Sequence, residues 1–77
     1  MKKVINGLLY DIDKSELIYE EEDSHRRLYR TKKGRWFKFY PNGVIYPITE
    51  DEAKVYLGEH DADLFIEIFG EDAIEEA

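Results

Sequence analysis

Cysteine is absent from this 77-residue chain, so disulfide staples, thiolate metal sites and cysteine nucleophiles are excluded. Histidine is scarce too: His25 and His60, without cysteine, fit none of the usual zinc spacings. The only serines, Ser15 and Ser24, lie in no nucleophile elbow. Gly34, Gly43, Gly58 and Gly70 stand apart as turn or stop signals, so no glycine-rich loop can cradle a phosphate. No apolar run approaches the ~20 residues of a membrane span, and no signal-peptide pattern follows Met1. The expectation is a soluble cytoplasmic protein with no membrane partner. A chain this short buries only roughly 60–65% of its unfolded surface, leaving little room for a catalytic cleft. A non-enzymatic protein without catalytic residues, cofactor or metal is therefore expected.

What is present is aromatic and charged. Eleven aromatic side chains help a small core close, since each buries about 150–250 Å². The net charge of −7 is unevenly spread. Residues 1–25 hold three lysines and seven acids; residues 26–48 hold seven cations and no acid; residues 49–77 hold one lysine and eleven acids. Such a balance opposes non-specific DNA binding by the whole molecule.

Turn chemistry divides the first half into short strands. Asn6-Gly7 predicts a hairpin between Val4-Ile5 and Leu8-Leu9-Tyr10. Strands are expected over Ser15–Glu22, Arg27–Thr31 and Arg35–Tyr40, and the last closes through Pro41-Asn42-Gly43 onto Val44–Ile48. Alternation places Phe37 and Phe39 on one face, expected as core, and Trp36, Lys38 and Tyr40 on the other, expected to face outward.

At Thr49 the pattern changes to helix. Thr49-Glu50-Asp51-Glu52 is a capping box, and Ala53, Tyr56 and Leu57 share a face. Gly58 is expected to end this helix. Asp61 should cap a second, with Leu64, Phe65, Ile68 and Phe69 as its apolar stripe and Gly70 as its stop. The fold class is α+β: an antiparallel meander of four to five strands followed by two helices on one face. Residues 1–70 form one domain, and 71–77 an acidic, frayed tail.

Two groups of acids resemble metal ligands. Asp11, Asp13, Ser15 and Glu22 occupy positions of a calcium-loop template, yet Glu16 stands where the loop needs glycine, which favours a polar turn and an edge strand. Glu59, His60, Asp61 and Asp63 read better as a solvated helix junction. The most distinctive segment is Arg26–Tyr40, which interleaves seven cations with Tyr29, Trp36, Phe37, Phe39 and Tyr40. Such a strip suits single-stranded nucleic acid. The acidic helices are expected to neutralise it internally, which favours a sheet that meets a protein partner.

The run Leu28-Tyr29-Arg30-Thr31-Lys32-Lys33-Gly34-Arg35-Trp36-Phe37, followed by Ile45–Leu57 and by Ile66, Phe69 and Gly70, resembles a group of small acidic, mostly uncharacterised proteins of bacterial phages and mobile elements. Ile5-Asn6-Gly7 and Tyr10-Asp11 fit the same pattern, while Pro41-Asn42-Gly43 replaces a longer glycine-rich insertion. The resemblance implies proteins that bind and block host machinery, such as anti-CRISPR or other anti-defence inhibitors.

Three functions are weighed. The first is a protein-binding inhibitor of a host protein or nucleoprotein complex: Glu50, Asp51, Glu59, Asp63 and Glu67 imitate phosphates, while Arg35, Trp36, Lys38 and Tyr40 anchor the sheet face. The second is a single-stranded nucleic-acid binder using Arg27, Arg30, Arg35, Trp36 and Lys38. The third is a homodimer that pairs through an exposed sheet edge.

Overall fold

The structure, a computed structural model, describes residues 1–75. Strands β1 (Lys2–Ile5) and β2 (Leu8–Asp11) form a separate two-stranded sheet. Strands β3 (Glu16–Glu20), β4 (Arg27–Arg30), β5 (Trp36–Phe39) and β6 (Ile45–Ile48) form an antiparallel meander in sequence order. Helices α1 (Glu50–His60) and α2 (Ala62–Phe69) follow, so the fold is α+β.

The β1–β2 turn is set by Asn6 and Gly7, with φ of 52° and 77°, the left-handed pair a two-residue hairpin requires. The polar stretch after β2 forms a 3-10 turn over Ile12–Lys14, where Asp11 accepts the Asp13 amide at 3.0 Å and Asp13 meets the N-terminal amine at 2.9 Å. β3 then runs as an edge strand, so this stretch is a turn and an edge.

Register decides which side chains share a face. Trp36 pairs with Arg30 and Ile48, Phe37 with Tyr29 and Pro47, Lys38 with Leu28 and Tyr46. Both faces of the meander are covered. On the Phe37 side the β1–β2 hairpin closes a core of Tyr10, Tyr29, Phe37 and Ile45, with Phe37 stacked on Tyr29 at 5.2 Å and meeting Tyr10 edge-on at 5.5 Å. On the other side the helices bury Leu28, Trp36, Ala53, Tyr56, Leu57 and Phe65 together. The result is three layers: hairpin, sheet and helices.

Helix α1 begins as its capping box dictates. Thr49 Oγ1 accepts the Glu52 amide and Glu52 Oε1 accepts the Thr49 amide, both at 3.1 Å. The helix does not stop at Gly58. Tyr56 and Leu57 are buried, and continuing the coil to His60 keeps them packed; Asp61 then ends α1 and caps α2 by accepting the Leu64 amide at 3.1 Å. Gly70, with φ of 86°, stops α2 and donates its amide to the Ile66 carbonyl at 2.8 Å. Beyond it Glu71–Ala73 form a 3-10 turn, and residues 76–77 of the acidic tail lie outside the described residues.

β3 departs from a plain strand. Its pairing with β4 shifts between Leu17 and Tyr19, so Ile18 is an extra residue and both Ile18 and Tyr19 join the helix-side core. At the opposite edge, Pro47 removes a backbone donor from β6.

Candidate functional site

The expected outward face is the first casualty of this packing. Trp36 is only 3% exposed, with its ring 5.7 Å from Phe69 and Arg30 lying 5.4 Å over it. It is a core residue between sheet and helices and cannot anchor a partner. The alternation was right and the solvent side was wrong, because helices cover that face.

The helices do not cover it to its far end. Lys38 and Tyr40 continue the Trp36 face past the reach of α2, and an open cleft of about 490 Å³ lies there against α1. The Lys38 ammonium sits 4.5 Å from the centre of the Tyr56 ring. The Arg26 guanidinium lies 5.2 Å over Tyr40, which stacks on Tyr46 at 6.3 Å with ring planes 9° apart. Tyr46 is 55% exposed, and Val55 projects from α1 beside the cleft, also exposed.

A buried-edge network fixes the floor. Tyr56 donates its hydroxyl to Glu21 Oε2 at 2.5 Å, and Ser24 donates to Glu21 Oε1 at 3.2 Å. The Tyr56 hydrogen bond holds the Glu21 carboxyl below the ordinary carboxylate range, assisted by Ser24, His60 and Arg26 against the cost of desolvation. Burial, reinforced by the Glu21 charge, pushes the Tyr56 phenol well above its usual value. His60 Nδ1 lies 2.9 Å from the Tyr56 carbonyl, so that nitrogen carries the proton as donor, and its ring packs on Tyr56 at 4.2 Å.

Of the sequence-predicted residues, Lys38, Asp51 and Glu59 line this one cleft, and Tyr40 adjoins it through Arg26. The others are dispersed. Arg35 is exposed in the β4–β5 turn at the opposite end of the sheet. Glu50 pairs with Lys54 at 3.6 Å, Asp63 lies exposed in the first turn of α2, and Glu67 borders a groove beside β3. The sequence did not single out Glu21, Tyr46 or Val55, and it placed Arg26, Tyr56 and His60 in the basic strip, the α1 core face and a helix junction rather than together in one site. Tyr46 was within reach, since a hairpin about Asn42-Gly43 sets it opposite Lys38.

No protein-family model, curated protein or solved structure matches this chain. The resemblance to small phage proteins therefore rests on its motif residues alone.

The basic strip is also taken apart in space. Arg27 pairs with Glu20 at 3.5 Å and Arg30 with Glu16 at 2.8 Å, so β3 does the neutralising that was expected of the helices. Lys32, Lys33 and Arg35 stay exposed in one turn, while Tyr29, Trp36 and Phe37 are buried. The cations and the rings that interleave in sequence do not form one stacking platform. Among the described residues no three His, Asp or Glu side chains gather closely enough to hold a metal ion. The cleft combines the exposed Val55 with carboxylates on α1 and the Arg26 and Lys38 cations that lie over tyrosine rings.

Proposed function

We propose that this chain is a non-enzymatic protein-binding module that docks on a basic protein surface through α1 and the adjoining end of the sheet. The observation that carries the reading is the rim of the cleft. Asp51 and Glu59 flank exposed Val55 on α1, neither forms an ion pair among the described residues, and the Tyr40–Tyr46 pair lies alongside. Tyrosines supply large contact area at low entropic cost, and unpaired carboxylates steer and select a cationic partner.

The partner class we propose is a host protein or nucleoprotein complex that handles nucleic acid, which this surface blocks by occupying its phosphate-binding cations. Motif resemblance to small acidic proteins of phages and mobile elements, some of them anti-defence inhibitors, supports that assignment. Stoichiometric blocking needs only a surface, which suits a three-layer domain of this size.

The test is affinity capture from bacterial lysate with the wild-type chain and the D51K/E59K variant, followed by competition against labelled DNA on the captured protein. Wild type should retain a basic partner and release its DNA stoichiometrically, and the variant should lose at least tenfold in retention. Equal retention by the variant, or no displacement of DNA by the wild type, would refute the reading.

A further inference from the structure

The opposite side of the molecule carries a second surface that the cleft does not use. Strand β2 and the β4–β5 turn enclose a groove of about 380 Å³, with Leu8 and Leu9 on its wall and Lys14, Lys32, Lys33 and Arg35 around it. None of the four cations forms an ion pair among the described residues. Asp11 is the one acid in the lining, and it already accepts the Asp13 amide. Beside the groove, Leu9 pairs across the hairpin with Val4, which is 70% exposed. An apolar wall ringed by free cations suits an apolar side chain flanked by acids.

The chain itself carries that complement. After α2, every residue of Glu71-Asp72-Ala73-Ile74-Glu75 is exposed, and Ile74, in extended backbone, is 47% exposed and belongs to neither core. We infer that the groove at Leu8, Leu9, Lys32 and Lys33 receives the Ile74 segment of a second copy, Ile74 packing on the exposed Leu9 while Asp72 and Glu75 meet the lysines. Tail and groove are different patches, so the contact is head-to-tail; it closes into a pair when two copies exchange tails and otherwise extends into a chain. It differs from edge pairing, which the Ile18 bulge and Pro47 oppose at the two edges of the meander.

The test is sedimentation velocity and amide NMR of the full chain at low ionic strength, from about 10 μM to about 1 mM, the range expected of a short segment in a shallow groove. The weight-average mass should rise from 9.2 kDa with concentration, and the amides of Leu8, Leu9, Lys32, Lys33 and Ile74 should shift together. Ile74→Asp and K32E/K33E should each weaken the association at least tenfold. All three side chains are exposed, so the variants should melt with the wild type; a chain shortened after Ala73 should likewise remain monomeric. A mass fixed at the monomer throughout, or association undiminished by Ile74→Asp, would overturn the inference. So would groove amides that move only on adding vesicles of anionic phospholipid to a monomeric protein.

Discussion

Replacing Trp36 with alanine separates two readings of the same strand. Were Trp36 an exposed anchor, its removal would abolish binding and leave the fold untouched. The structure places it 3% exposed, within 5.7 Å of Phe69 and in the cluster with Leu28, Leu57 and Phe65. Truncating a buried tryptophan to alanine costs about 3–5 kcal/mol, and loss of the Arg30 stack adds up to about 1 kcal/mol. At about 0.05–0.15 kcal/mol per residue, a domain of this length has roughly 4–12 kcal/mol in total. The variant should therefore lose about a quarter of its stability or more. The melting midpoint should fall by about 12 °C or more, given about 4–8 °C per kcal/mol for small domains. Because Trp36 is the single tryptophan, its emission in the wild type reports the same site: blue-shifted when folded, red-shifted through the urea transition. Tyr40→Ala is the control, since Tyr40 belongs to neither core and its loss should move the midpoint far less. A Trp36→Ala protein that melts within about 3 °C of wild type would refute the packing described for the helices.

Gly58 lies inside α1 with nothing beyond its chain neighbours and its own helix backbone within 4 Å of where a Cβ would sit, so Gly58→Ala should stabilise by about 0.5–1 kcal/mol, read as a higher melting midpoint. Thr49→Ala removes the acceptor for the Glu52 amide and should cost about 1 kcal/mol in urea denaturation. Tyr56→Phe removes the hydrogen bond that depresses the Glu21 carboxyl, costing about 1–2 kcal/mol at neutral pH. In the wild type that contribution is present above the ordinary carboxylate range and is lost as pH falls through the lowered value. In Tyr56→Phe, stability measured against pH should therefore lack this acid-side loss. On the alkaline side the wild type loses the Tyr56 contribution progressively as pH rises from the ordinary phenol value through the elevated one, a loss that Tyr56→Phe cannot show.

Local chemistry made much of this fold legible. Asn6-Gly7, Pro41-Asn42-Gly43, the Thr49–Glu52 box, Asp61 and Gly70 each act through one or two neighbouring backbone groups, so their residue types suffice to place hairpins and helix ends. Long-range packing was not legible in the same way. A period of two separates Trp36 from Phe37, but both faces of this sheet are buried, one by helices and one by a hairpin from the other end of the chain. Neither cover is encoded in the strand itself. Gly58 failed as a stop because its neighbours Tyr56 and Leu57 gain more by staying helical than a solvent-facing glycine loses. The Ile18 bulge is invisible in Leu17-Ile18-Tyr19, three apolar residues that read equally well as an unbroken strand. For the site, Asp51 and Glu59 were named as acids of the capped helix, whereas Glu21, Arg26 and His60 become neighbours only through the β3–β4 loop and the end of α1.

The charge pattern acquires a different meaning once folded. In sequence, a basic centre sits between two acidic flanks and suggests one patch cancelled by another. In space the centre divides: Arg27 and Arg30 are consumed by β3, Arg26 and Lys38 lie over tyrosine rings in the cleft, and Lys32, Lys33 and Arg35 collect in a turn on the hairpin side. The cleft and the groove share no lining residue and face different layers. Energetic effects at such separated sites add with little coupling. K32E/K33E should therefore leave capture of a basic partner intact, and D51K/E59K should leave self-association intact. If either pair of substitutions disturbed both behaviours, a single shared surface would have to replace the two-sided arrangement.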